Sequence, residues 1–229
     1  MRQLIAALAV AGICILTAGC SSGSNHGTKK STTTTPTTTT APPVAEDTLD
    51  GLLLGPDQVN PIMGATGMTV TKTHAQMSDD AATMAPKECL AIDGSAQAQV
   101  YAGSGYTAER DQTLQEGDNF AHYIEQAVVL FPTAQQAGAF FTASAQQWPT
   151  CHQYTHIQSN SQWAVGRISN GNGTLSTTAT QQNATAPGWA CGRALAVRNN
   201  VVVDVNTCSA NPTDTAVKIA NQIAAKVPT

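Results

Sequence analysis

Cys191-Gly-Arg-Ala-Leu-Ala-Val-Arg198-Asn199-Asn200-Val201-Val-Val-Asp-Val-Asn-Thr-Cys208 is the stretch whose reading decides the fold. Two strand-like runs, Arg193 to Arg198 and Val201 to Asn206, flank a pair of asparagines. Asparagine tolerates positive φ, so the pair suits a two-residue hairpin turn. In such a hairpin Arg198 faces Val201, and every facing pair shares the same sum of residue numbers. Cys191 and Cys208 satisfy that sum. Counted back from the turn they occupy a non-hydrogen-bonded site, where side chains approach closely. The spacing predicts a cross-strand Cys191–Cys208 disulfide.

Outward from the hairpin, the compartment follows from the N-terminus. Arg2 precedes an uncharged, apolar run from Leu4 to Ala18. This is the layout of a secretory signal, and it falls short of the roughly 20 residues a membrane span needs. The run ends in Leu16-Thr17-Ala18-Gly19-Cys20, which resembles a bacterial lipobox, with Thr17 where Leu, Val or Ile is usual. The expectation is a signal peptide over residues 1–19, lipid on the Cys20 thiol, and a protein held on the extracytoplasmic face of the cell membrane. Cys14 leaves with the signal. Residues 20–43 contain almost nothing apolar, and Ser31-Thr-Thr-Thr-Thr-Pro36 continues into a second Thr run. They cannot build a core and read as a disordered stalk, bare or O-glycosylated.

Residues 44–229 suffice for one ordinary domain. They retain Cys89, Cys151, Cys191 and Cys208, an even number that argues for two disulfides in an exported chain. With Cys191–Cys208 assigned, Cys89–Cys151 follows by elimination. A metal site is the alternative, but no C-x-x-C occurs and the compartment favours disulfides. Charged residues make up 11% of the chain. From Val44 onward there are fifteen acidic and eight basic side chains, a net charge of −7, with no basic cluster. Nucleic acid is therefore excluded as a partner, because phosphate binding needs concentrated Lys and Arg.

The elements can be read in order. Leu49, Leu52 and Leu53, then Val59, Ile62 and Met63, have helical spacing. Met68 to Thr73 alternates as a strand, and Gln97 to Tyr101 and Gln112 to Gln115 are further strand candidates. Phe120 to Phe131 is a stronger strand, and its Val128-Val129-Leu130-Phe131 half should be buried on both faces. Thr133 and Gln136 form a capping-box pattern. The helix that follows has Ala137, Phe140, Phe141, Ser144, Ala145 and Trp148 on one face, and Pro149 ends it. Three more strands are read at His156 to Ser159, Trp163 to Ile168 and Thr174 to Thr180. A last helix starts with Asn211 as N-cap, Pro212 at N1 and Asp214 in its first turn. Its stripe is Ala216, Ile219, Ala220, Ile223 and Val227. Strands in one run with one helix inserted and one appended indicate an α+β fold, a mostly antiparallel sheet with helices packed on one face.

Several segments then share one pattern. Ala127-Val-Val-Leu-Phe-Pro132, Gln147-Trp148-Pro149-Thr150-Cys151, Gly188-Trp189-Ala190-Cys191 and Asn199-Asn200-Val-Val-Val-Asp204-Val-Asn-Thr-Cys208 together resemble the PknH-like extracellular domain family of mycobacteria and relatives. The likeness runs from about Leu49 to Val227 and includes both cysteine pairs. The family contains the sensor domain of a transmembrane serine/threonine kinase and a set of lipoproteins. The resemblance implies an α+β domain with two disulfides and a cleft for an unidentified ligand. It supplies no catalytic residues and no cofactor, and direct signalling to a kinase does not carry over.

Candidate chemistry is sparse. His152 and His156 lack an acidic neighbour to complete a metal site and read as surface histidines. Gly103-Ser104-Gly105 lacks the spacing of a nucleophile turn. Asp79 with Asp80, or Glu109 with Asp111, could form acid–base pairs, but each lies in a stretch that reads as loop, where solvated carboxylates are routine. Trp148 and Trp189 adjoin cysteines and should pack on disulfides. Trp163 has no such neighbour and is the ligand-facing candidate; His122, beside Tyr123 on a strand, gives two further candidate ligand-binding residues. The expectation is a non-enzymatic, membrane-anchored envelope module that binds a small lipid, glycan or peptidoglycan fragment. An envelope protein is the alternative partner.

Overall fold

In the computed structural model the Asn199–Asn200 hairpin closes in the predicted register, from Val201 facing Arg198 to Ala210 facing Trp189. Asn199 takes a φ of 50°, the left-handed value that the turn requires and asparagine tolerates. Cys191 faces Cys208 with Cα atoms 4.1 Å apart, and the two are bonded. The structure describes residues 41–118 and 120–229. The expected signal peptide, the Cys20 lipidation site and most of the stalk lie outside these residues.

The strands are β1 (Thr69–His74), β2 (Met84–Ala85), β3 (Ala108–Gln115), β4 (Tyr123–Leu130), β5 (Gln153–His156), β6 (Ser161–Val165), β7 (Ser169–Gly171), β8 (Thr174–Gln181), β9 (Trp189–Arg198) and β10 (Val201–Ala210). The α-helices are α1 (Pro56–Met63), α2 (Leu90–Asp93), α3 (Ala98–Tyr101), α4 (Ala134–Gln147) and α5 (Thr215–Lys226). All strands join one antiparallel sheet in the order β1-β3-β4-β10-β9-β8-β6-β5-β2, with β7 paired to β8. The hairpin is thus the middle of the sheet, which explains why both its faces are apolar.

Side-chain alternation along β10 divides the core in two. Val201, Val203 and Val205 join Ile219, Ala220 and Ile223 of α5, together with α1 and the 3-10 turn Glu46–Leu52. Val202 and Cys208 point the other way, toward Ala137, Trp148 and α2. The α+β class and the antiparallel sheet hold, but the helices cover both faces rather than one. The reason is visible in β10, whose Val-Val-Val run has no polar face to leave in water.

Three local expectations are corrected. Gln97 to Tyr101 is not a strand: Ala98 to Tyr101 form one helical turn, with Ala98 N–H bonded to the Ser78 carbonyl and Tyr101 anchored from below. β3 begins at Ala108, so Glu109 and Asp111 lie in a strand and not in a loop. The last helix starts at Thr215 with Asp214 as its N-cap residue. Asn211 and Thr213 instead take left-handed φ values of 58° and 51° and make a turn that returns to the Gly188 carbonyl. The Thr133 cap forms as read, its hydroxyl accepting from Gln136 N–H at 3.2 Å.

Candidate functional site

The α2–α3 segment is too short to hold itself in place, and a buried polar network ties it to the sheet. Arg193 on β9 and Asp204 on β10 are each 2% exposed and pair at 2.5 Å. The remaining Nη donors of Arg193 go to the carbonyls of Val205 at 2.8 Å, Ala91 at 2.9 Å and Gly94 at 2.8 Å, and its Nε–H is buried with no partner. Its guanidinium lies 5.3 Å from the centre of the Trp148 ring. The second Asp204 oxygen accepts from Ala96 N–H at 3.1 Å and from the Tyr101 hydroxyl at 2.9 Å. Burial, then the Asp204 charge, hold the Tyr101 phenol well above its usual range, so it stays a donor. A planar five-donor group suits this task because one side chain can serve both a carboxylate and several carbonyls.

A groove of about 590 Å³ opens between this pinned segment and α4. Leu90 and Val100 form one wall, and Ala139, Phe140 and Ala143 form the other. This volume is in the range of small-molecule sites. The walls are tied at one end by the Cys89–Cys151 disulfide, whose Cα atoms are 5.0 Å apart, because Cys89 precedes α2 and Cys151 follows α4. Gln147 adds a hydrogen bond from its amide to the Glu88 carbonyl. Ser104 also lines the groove, and its hydroxyl is shielded from water with no hydrogen-bond partner. The sequence carried one signal for this site that was not read: α4 has no charged side chain along its whole length, although much of it faces outward.

A second cluster lies on the same face of the sheet toward β1. Glu109 and Asp111 alternate onto one face of β3 and are each 2% exposed. Burial and then the neighbouring Asp111 push the Glu109 carboxyl up to about 9, so it keeps its proton at neutral pH. Glu125 on β4 is raised to about 7, mainly by burial. Asp111 also meets His74 Nδ1 at 3.0 Å. A pair this deeply buried offers no carboxylate to an external substrate. Among the described residues no group of three or more His, Cys, Asp or Glu is arranged to hold a metal ion.

The sequence-predicted ligand residues do not gather in one place. Trp163 is on β6, 7% exposed, stacked on Tyr154 at 5.9 Å, and it donates to Ser161 Oγ at 3.1 Å. It borders a hollow of about 380 Å³ with Gln153 and Gln162, but its ring belongs to the core. His122 and Tyr123 lie across β10, β9 and β8 from it, at the start of β4. His122 Nδ1 meets Glu116 at 2.8 Å, and the Tyr123 phenol is raised above its usual range by burial. His156 pairs with Asp93 at 2.7 Å, a partner remote in sequence. Trp148 packs with the cysteines as expected, and Trp189 lies 6.3 Å from the Phe120 ring.

Fold and cross-links together define a class: a disulfide-stapled α+β domain of the kind that matures in an oxidising compartment. The comparisons with known proteins make this specific. The model of the PknH-like extracellular domain matches residues 44–226. The serine/threonine-protein kinase PknH of Mycobacterium bovis is 40% identical over 190 residues, 81% of this chain and 32% of that protein. PknH of Mycobacterium tuberculosis strain H37Rv is also 40% identical, with 30% of its length covered. The crystal structure of the extracellular domain of PknH from Mycobacterium tuberculosis superposes with a TM-score of 0.75 at 37% identity, covering 81% of this chain and 97% of that one. This chain belongs to the PknH-like extracellular domain family. It spans about a third of the length of the curated relatives it matches.

Proposed function

We propose that this chain is an extracytoplasmic binding or sensor module that takes a small envelope ligand, a lipid, glycan or peptidoglycan fragment, in the groove between α4 and the α2–α3 segment. The observation that carries this reading is the groove itself. A buried ion pair, a disulfide and a Tyr101–Phe140 ring stack at 4.2 Å all hold its walls, more fixing than a surface loop needs for its own sake. The family supports a place outside the cytoplasm and a non-catalytic role. Attachment through a lipid on Cys20 belongs to the same proposal and rests on the lipobox-like run Leu16 to Cys20. Native mass spectrometry of the full chain taken from its own envelope tests the ligand: a reproducible extra mass, lost on denaturation and absent from an Ala143→Phe variant, is expected. A bare mass for both proteins would remove the binding reading. Peptide mass analysis that finds Cys20 inside an unprocessed, unacylated peptide would remove the anchor.

A second reading, docking of an envelope protein, draws on the sheet edge. β1 is exposed along its whole length, and Val70 is 40% exposed. Crosslinking in cells that yields one dominant partner, lost on Val70→Lys, would favour it over the groove.

A further inference from the structure

The α4 wall of the groove is a single helical stripe. Gln136, Phe140, Ala143 and Gln147 follow one another at steps of three and four residues, with Ala139 beside Phe140. At 1.5 Å per residue the stripe runs for roughly 16 Å, and its alanines leave a trough along it. Apart from Gln99, the polar groups with donors to spare gather at the ends. Ser104 and Gln136 mark one end, where a side chain at Gly105 would come within 3.8 Å of Gln136 Nε2. Lys87 marks the other, beside the Gln147–Glu88 contact. Gln136 has its Oε1 on the Thr133 hydroxyl at 2.9 Å, which leaves its amide donors for a ligand. The one aromatic ring in the trough, Phe140, has a face covered by Tyr101 at 4.2 Å.

A sugar chain needs hydrogen-bond partners along its whole length, and an extended peptide needs partners for its backbone. A trough that has Gln99 as its one spare donor between the ends, its Ser144 hydroxyl already bonded to the Phe140 carbonyl, supplies neither. It suits a slender molecule that is apolar along its length and polar at one end. The unpartnered Ser104 hydroxyl calls for a partner there, since a buried hydroxyl left unmade is costly. We propose that the groove binds a single-chain amphiphile acquired from outside the protein, its alkyl tail along the Ala139–Ala143 stripe and its polar end against Ser104 and Gln136. This rests on the reading of the groove as a ligand site.

The test uses the full chain carrying Cys14→Ser and Cys20→Ser, whose remaining cysteines are paired in the two disulfides, so any bound alkyl chain comes from outside. Titration calorimetry with dodecanoic acid should show saturable one-to-one binding. Ala143→Phe and Ala139→Phe each fill the trough from an exposed position, and each should weaken binding at least tenfold while far-ultraviolet circular dichroism stays unchanged. Ser104→Ala should weaken it about threefold to tenfold. A disaccharide of N-acetylglucosamine should not bind. If the disaccharide binds in an Ala143-sensitive way and dodecanoic acid does not, the amphiphile is overturned while the groove survives as a ligand site. If dodecanoic acid fails to bind, or binds equally well to both Phe variants, the proposal falls. Insensitivity of the native envelope ligand to Ala143→Phe would overturn the groove reading as well.

Discussion

The two faces of the central sheet are held by different physics. On the α5 side the strands offer Val201, Val203 and Val205 to Ile219, Ala220 and Ile223, and all six are buried. Apolar burial dominates there, at about 25 cal/mol for each Å² removed from water, and the buried polar contacts are neutral ones, the Thr207–Thr215 hydroxyl pair and the Gln126 amide on the Leu54 backbone. On the α4 side the same strands carry Arg193 and Asp204, and these hold backbone that no hydrophobic pattern would hold. Buried ion pairs add little net stability, because desolvation offsets their attraction. What this one adds is position: it sets the α2–α3 segment at a fixed distance from α4. Both faces bury a core, but only the α4 face adds the charged pair that sets the groove.

Substitutions that separate stability from position sharpen this contrast. The largest effect is expected from Asp204→Ala, which strands Arg193 in the interior and should cost about 3–5 kcal/mol in chemical denaturation. It should also abolish groove binding in the fraction that stays folded. Replacing Cys89 and Cys151 together by serine removes a cross-link between residues 62 apart. Chain entropy puts that loss at about 4 kcal/mol, and hydrogen exchange should rise first around Leu90 to Tyr101. Ile219→Ala on the opposite face should cost about 3 kcal/mol by leaving a cavity, yet ligand affinity at saturating folded protein should not change. If Ile219→Ala weakened binding as much as Asp204→Ala, the division of labour between the faces would be wrong.

Two smaller effects complete the series. Glu109 and Glu125 have folded-state values raised to about 9 and about 7, against an ordinary carboxylate value near 4.5. The folded state therefore holds more protons than the unfolded chain between those limits. Stability should be greatest near pH 5 and should fall as pH rises through 7 and 9. His156, raised by its bond to Asp93, acts in the same direction. Glu109→Gln removes the group that would have to ionise in the interior, and should raise stability at pH 8 by about 1–3 kcal/mol and flatten the slope. A denaturation midpoint that climbs from pH 5 to pH 9 would contradict the buried acid pair. Thr133→Ala, removing the α4 cap, should cost about 1 kcal/mol.

Local spacing and alternation made much of the fold legible. The hairpin register follows from counting, since strand residues pair one to one, and both disulfides follow from it. The α4 cap and its apolar face follow from helical period. Val128 to Phe131 reads as doubly buried because it has no polar position. Where the reading missed, a remote partner decided. Gln97 to Tyr101 has the composition of a strand but turns as a helix, because Tyr101 reaches Asp204 across 103 residues. Asn200, read only as a turn residue, also clamps Val44 N–H at 2.7 Å and the Phe131 carbonyl at 2.9 Å. Trp163 has no sequence neighbour to pack on, yet Tyr154 covers it from the adjacent strand.

By itself, then, the sequence determined the central hairpin, the two cross-links, the α+β class and the family pattern. All of these depend on periods and spacings a few residues long, or on pairs that only one arrangement satisfies. Tertiary structure alone decided which face each helix covers, that Glu109 and Asp111 are buried together, and that Arg193 and Asp204 draw the α2–α3 segment against α4 to open the groove. Those outcomes depend on contacts between residues tens to a hundred positions apart, and no local pattern in the chain encodes which distant partner a buried charge will find.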